Sequence, residues 1–209
     1  MTTPLPADAE TLFARLRDSL KDALGVPCNG QAQEGPDALA GVDPTMPMGE
    51  SAAGSGSEAA QAGSAEVPAF IGIHTGGAWL AARLHAELGL SSPLGFLSSA
   101  FYRDDVQARG LSTRMQPTRI DFDVNGRDIV LVDDILHTGR TIRAALNEIF
   151  DYGRPARVRL AVLIDRGGRE LPVQPDHVGA RLVLQPGEKL ALSQRTNGMF
   201  ELRVETVQA

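Results

Sequence analysis

Leucines recur at every fourth position from Leu12 to Leu24, with Phe13 beside the first of them. That period lines one face of a helix over residues 8–24, because positions four apart stack along a helix surface. Asp8 stands where an N-cap belongs, and Gly25 and Pro27 end the pattern. A different pattern begins at residue 67. Residues 67–73 and 129–132 are continuous apolar runs rich in branched side chains, and 158–164 is another broken only by Arg159. Such runs mark strands buried on both faces, the condition of strands in a parallel sheet. Between them, 78–88 and 141–152 read as helices, closed by Gly89 and by Gly153 with Pro155. Residues 93–101 predict a further strand, and 74–77 and 165–172 predict turns. Residues 102–116, polar and rich in Arg and Asp, predict a long loop. Residues 118–124 alternate polar and apolar, and Asn125-Gly126 after them predicts a hairpin turn. Two runs, 189–194 and 199–204, flank Thr196-Asn197-Gly198 and predict a C-terminal hairpin. Strands alternating with helices imply an α/β fold around a mostly parallel central sheet.

Neither pattern exists between residues 28 and 66. Gly, Ala, Ser, Pro, Gln and acids fill the stretch, and SAAGSGSEAAQAGSAE is of low complexity. It offers too little apolar surface to offset the entropy of ordering, which predicts a disordered acidic insertion. The expected domain plan is a helix at 1–27 that joins the core, the insertion at 28–66, and one domain over 67–209. Charge follows the same boundary. Residues 28–66 hold six acids and no Lys or Arg, so the net −6 leaves 20 acids against 20 bases elsewhere. An acidic balance argues against a protein built chiefly to neutralise phosphate backbones. The lone cysteine, Cys28, excludes an intramolecular disulfide and a Cys-rich zinc site. No apolar run reaches the roughly 18 residues of a membrane span, and residues 1–10 lack a leader's basic and apolar regions. A cytoplasmic protein with no membrane partner is the expectation.

In open parallel sheets, ligands bind beyond the carboxyl ends of the strands. Three polar segments follow directly on the buried runs: 74–77, 133–141 and 165–170. The richest is IVLVDDILHTGRT, residues 129–141. Asp133 and Asp134 leave a buried strand, and Thr138-Gly139-Arg140-Thr141 opens a helix. A helix N-terminus offers free N–H groups and partial positive charge, which suits a phosphate monoester. Gly139 allows close backbone approach, and Thr138 and Thr141 add hydroxyl donors. Paired carboxylates would repel that phosphate, but they accept hydrogen bonds from two vicinal hydroxyls. Phosphate at one end and a diol at the other describe a ribose 5-phosphate. A Walker-type site is excluded, since no G-x-x-x-x-G-K-[ST] occurs.

This segment resembles the phosphoribosyl-pyrophosphate (PRPP) signature of type I phosphoribosyltransferases. With FIGIHTGGAWLAARL, FYRDD, IRAALNEIFDYGRP and LAVLIDRGGRELPVQPDHVGARL in order, the chain is similar to the PyrR family within them. That family joins pyrimidine-operon regulation to uracil phosphoribosyltransferase activity. The match covers the first helix and nearly all of 67–205, not 28–66. It implies the type I phosphoribosyltransferase fold: helices flanking the central sheet, a small hood and a C-terminal hairpin. It implies that Asp133 and Asp134 bind the ribose hydroxyls, with Asp133 holding Mg²⁺ through water. Ile135, Leu136, His137, Thr138, Gly139, Arg140 and Thr141 would hold the 5-phosphate. Thr75, Gly76 and Gly77 would form the pyrophosphate loop. Tyr102 to Asp105 would begin a mobile loop over PRPP, with Arg103 available to the leaving group. Asp165 and Arg166 would lie at the nucleobase end. The family's pyrophosphate loop commonly reads Thr-Arg-Gly, and here Gly76 stands in place of the arginine.

The implied partners are PRPP, uracil, UMP or UTP, the leader RNA of a pyrimidine operon, and further copies of the chain, a homodimer or more. Arg154, Arg157 and Arg159, with Arg109, Arg114 and Arg119, are the candidate basic surface for RNA. Two other readings stay open from the residues alone. One is an RNA-binding attenuation regulator with little catalysis; the other is a phosphoribosyltransferase for another base.

Overall fold

Every expected buried run is a strand of one sheet. The computed structural model describes residues 3–26, 67–98 and 116–206. Five strands, β1 (Ala69–Ile73), β2 (Leu94–Leu97), β3 (Asp128–Leu136), β4 (Arg157–Asp165) and β5 (His177–Arg181), lie in the order β2-β1-β3-β4-β5. All four pairings are parallel. Side chains alternate across a strand, so each apolar run feeds two cores. Val130 and Val132 of β3, with Ala161 and Leu163 of β4, pack against helices α1 (Ala9–Leu24) and α2 (Gly76–Glu87). Ile129, Leu131, Leu160 and Val162 pack against Ile142, Ala145 and Ile149 of helix α3 (Arg140–Tyr152). An antiparallel hairpin, β6 (Glu188–Gln194) with β7 (Phe200–Thr206), forms a separate sheet.

The first helix matches its sequence signature. Asp8 caps it by accepting the Thr11 N–H at 2.9 Å, and Gly25 closes it at φ +62°. Leu12, Phe13, Leu16 and Leu20 are fully buried. Each such side chain contributes roughly 1.5–3 kcal/mol by leaving water. Glu10 ties three elements together: it pairs with Arg83 of α2 at 2.7 Å and accepts the Phe200 N–H of β7 at 2.6 Å. Met1–Val26 and Glu66–Ala209 make up one unit of the chain. The expected insertion at 28–66, with Cys28, lies outside the described residues. Among the described residues no helix is long and apolar enough to cross a membrane.

Three expectations need correction. The strand expected to end at residue 132 continues to Leu136, because β4 is equally long and supplies partners to the end; Asp133 pairs with Val162 and Ile135 with Ile164. Backbone pairing is indifferent to side-chain charge, so the carboxylates sit within the strand rather than after it. The turn expected at 74–77 is shorter, since α2 starts at Gly76. The hairpin expected at 118–126 does not form. Both edges of β3 are occupied by β1 and β4, and residue 119 instead makes a lone bridge to Phe96, with both hydrogen bonds at 2.8 Å. One strand has no expectation at all: β5 carries no apolar run and is a half-covered edge strand containing Gly179. Of the strand expected at 93–101, residues 99–101 lie outside the described residues.

Candidate functional site

Because the sheet is parallel, the segments after β1, β3 and β4 gather at one edge. This brings together His74 to Gly77, Asp133 and Asp134, Thr138 to Thr141, and Asp165 with Arg166. Arg103, and the rest of the segment from Tyr102 to Asp105, lies outside the described residues.

Asp133 and Asp134 are 4% and 8% exposed, unusual burial for carboxylates. Each uses one oxygen to hold the following main chain: Asp133 Oδ1 accepts the Asp134 N–H and Asp134 Oδ1 the Ile135 N–H, both at 3.0 Å. Strand alternation places them on opposite pleats. Asp134 shares the α2 face, and its carboxylate lies directly against Gly76. A Cβ at Gly76 would stand 2.2 Å from Asp134 Oδ2, and one at Gly77 would stand 2.4 Å from the Val132 carbonyl. The glycine pair therefore exists so that the first turn of α2 can rest on β3. An arginine at 76 has no room for its first side-chain carbon. The His74–Thr75 peptide is cis.

Two helix N-termini flank this carboxylate pair. Neither Thr75 before α2 nor Gly139 before α3 caps its helix with a side chain. Apart from the Arg140 N–H, which Thr138 holds, their first-turn N–H groups and partial positive charge are available to an anion. Gly139 adopts φ +90°, a conformation other residues rarely adopt. Thr138 is buried, with its Oγ1 accepting the Arg140 N–H at 3.3 Å. The Leu136 side chain is buried in the α3-side core, so its part in the loop is played by its carbonyl. His137 is exposed and lies over Gly168, whose Cβ would meet His137 Nε2 at 2.8 Å. Arg140 pairs with Glu170 at 2.6 Å.

Sequence reasoning missed Arg169. Its guanidinium binds Asp165 Oδ1 at 2.6 Å and donates to the carbonyls of His137 at 2.7 Å and Val173 at 3.0 Å. One side chain thus locks the turn after β4 to the loop after β3. Burial pulls the Asp165 pKa upward, but the Gly167 N–H, Arg169 and Arg181 outweigh it and hold the carboxyl below its ordinary value. Asp165, expected at the nucleobase end, is in this way committed to the clamp. The Arg166 N–H donates to the Leu136 carbonyl at 3.0 Å. Burial lowers the pKa of His74, which favours the neutral imidazole.

The phosphoribosyl transferase domain family matches residues 53–182 of this chain. A bifunctional protein PyrR of Nitrosococcus oceani is 57% identical over 128 residues, spanning 60% of this chain and 72% of that protein. The bifunctional protein PyrR of Pseudomonas fluorescens is 50% identical over 136 residues, 65% of this chain and 81% of that one. The chain belongs to the PyrR family of phosphoribosyltransferases. Among solved structures, the hypoxanthine phosphoribosyltransferase of Trypanosoma cruzi superimposes with a TM-score of 0.55 at 15% identity, over 98% of this chain and 97% of that one. A hypoxanthine-guanine phosphoribosyltransferase of Bacillus anthracis gives 0.52 at 14% identity, over 87% and 85% of the two chains. At such identity these two show the fold alone.

Proposed function

We propose that this protein transfers the 5-phosphoribosyl group of PRPP to uracil, giving UMP and pyrophosphate, and that it regulates pyrimidine-operon expression in response to UMP or UTP. One observation carries the reading: a buried Asp133-Asp134 pair stands between two helix N-termini without side-chain caps, at one edge of the sheet. The first turn of α3, with Thr138 and Thr141, holds the 5-phosphate. Asp133 and Asp134 accept hydrogen bonds from the ribose hydroxyls at the strand tip. The first turn of α2, Gly76 and Gly77, receives the pyrophosphate through backbone N–H groups. As the C1–O bond breaks, positive charge grows on the sugar and negative charge on the leaving group. Fixed carboxylates and fixed N–H dipoles stabilise both without reorganising, which is the main source of rate in such a site. Arg103 would assist the leaving group. The turn after β4, with Asp165 and Arg166, bounds the base.

Mg²⁺ fits this donor set. Asp133 and Asp134 offer hard oxygens, and among the described residues no group of three His, Cys, Asp or Glu could cage a metal. Mg²⁺ needs few protein ligands when phosphate oxygens supply the rest, so Asp133 would reach it through water. Bound there, the ion neutralises charge on the pyrophosphate. The family resemblance further supports a homodimer or larger oligomer working in the cytoplasm, with pyrimidine-operon leader RNA as the regulatory partner.

The test is a base panel: the full chain with PRPP and Mg²⁺ against uracil, hypoxanthine and orotate, following pyrophosphate release. Uracil is expected to be consumed. Release with hypoxanthine or orotate and none with uracil overturns the base assignment. A gel shift with pyrimidine-operon leader RNA, with and without UMP, tests the regulatory half; no UMP-dependent shift would overturn it.

A further inference from the structure

A cavity of about 600 Å³ lies beside the pyrophosphate loop, and neither Asp133 nor Asp134 lines it. Its walls are His74 and Thr75, the Trp79 and Arg83 face of α2, Phe96 of β2, and the tip of the C-terminal hairpin with Asn197 and Met199. The size falls within the range of small-molecule sites. No residue of 133–141 or 165–170 lines it.

Its chemistry is specific. His74 and Phe96 form a tilted ring pair at 5.6 Å between centroids. Trp79 has no ring partner among the described residues, its indole N–H donates to none of them, and it faces the cavity half-exposed. A large ring in that condition suits a stacking ligand. Amides of Gln116, Gln194 and Asn197 also line it; Gln194 Nε2 donates to the Gly198 carbonyl at 3.4 Å and Asn197 Oδ1 accepts the Met199 N–H at 3.1 Å, so the hairpin offers a ligand the Gln194 Oε1 acceptor and the Asn197 Nδ2 donor. Charge is committed elsewhere: Arg83 pairs with Glu10 at 2.7 Å and Glu87 at 2.8 Å. Burial keeps His74 toward its neutral form. The described walls therefore favour a flat, uncharged, hydrogen-bonding ring over a phosphorylated one.

We propose that this cavity is a second ligand site that takes a nucleoside, with the base stacked on Trp79 and its edge read by the hairpin amides. Thr75 belongs both to the cavity wall and to the pyrophosphate loop, with His74 before it, so occupancy changes the affinity for PRPP. Only this coupling rests on the phosphoribosyl reading; binding itself does not.

Trp79 is the sole tryptophan of the chain, so its emission reports directly on the site. Uridine and guanosine titrated into the full chain should quench it saturably. The quench should survive in the Asp133→Asn/Asp134→Asn variant, where the first site is disabled. Asn197→Ala and Phe96→Leu should weaken it at least tenfold, with far-ultraviolet circular dichroism unchanged. Saturating nucleoside should shift the PRPP dissociation constant of the unmodified chain at least threefold. Four outcomes overturn the proposal: no quench; a quench lost in the Asp133→Asn/Asp134→Asn variant, which places the nucleoside in the first site; indifference to Asn197→Ala and Phe96→Leu; or emission that follows protein concentration alone, which places a second copy in the cavity. Absence of quenching with uracil still consumed in the base panel defeats this site and leaves the first intact.

Discussion

At position 76 a methyl group would stand 2.2 Å from Asp134 Oδ2, where the contact is with a carboxylate already anchored by the Ile135 N–H. Gly76→Ala should therefore push Asp134 off its position and lower PRPP affinity at least tenfold in calorimetry, about 1.4 kcal/mol, while the fold persists. Gly76→Arg should do no better, since the first side-chain carbon already collides. Arg169 poses the opposite case, one side chain with many duties. Arg169→Met leaves the half-buried Asp165 without its main cation, and should cost about 1–3 kcal/mol in urea unfolding together with a raised KM for PRPP. Single residues also decide the response to acid. Burial holds the His177 pKa below its ordinary 6.5, with Asp176 opposing and Arg159 reinforcing, and Ser19 Oγ lies 3.0 Å from Nδ1. A histidine with a lowered folded pKa is protonated more readily when unfolded, so the stability it confers is present above 6.5 and lost as pH falls toward the folded value. His177→Gln should flatten the fall in melting temperature between pH 7 and 5. The Asp-Asp pair and Thr-Gly-Arg-Thr were legible because they lie in one contiguous strand–loop–helix. The Arg169 clamp was not, because its link to the loop after β3 runs to main-chain carbonyls about thirty residues away that carry no sequence signature.

Elements were legible wherever a pattern had one physical cause. α1 shows all of its signals: cap, four-residue period and terminating glycine. Leu16→Ala should cost roughly 2–5 kcal/mol in urea unfolding, the range for a fully buried leucine. Elements were misread where the decision lay with a neighbour. The alternation at 118–124 is a real strand signal, yet β3 has no edge left to pair with it. β5 gives no apolar run because an edge strand carrying Gly179 and Ala180 needs only one covered face. The extra length of β3 is set by β4, and it moves both carboxylates from a loop into the sheet.

For the whole molecule, the acidic balance and the excess length trace to 28–66, which carries six acids and no base. Arg154 and Arg157 of the candidate RNA surface are engaged internally, Arg154 with the Phe150 carbonyl at 2.5 Å and Arg157 with Asp128 at 2.6 Å. Replacing 28–66 with a short Gly-Ser linker should bring the net charge to zero. Affinity for pyrimidine-operon leader RNA should then rise severalfold at low salt, and the gain should fade at high salt as the Debye length shortens. Filter binding across a salt series measures this.

The docking of α1 has a consequence for how the chain is made. α1 is synthesised before every strand of the sheet, but it packs on β4, β5 and β7, and its Glu10 bonds to Phe200. At about 5–20 residues per second, it waits roughly ten to forty seconds for β7 to be translated. A 16-residue helix is marginal by itself. During that interval Leu12, Leu16 and Leu20 have nowhere to go. A chain arrested before residue 200 is thus a natural client for a chaperone, held there by the same leucine stripe that later completes the core.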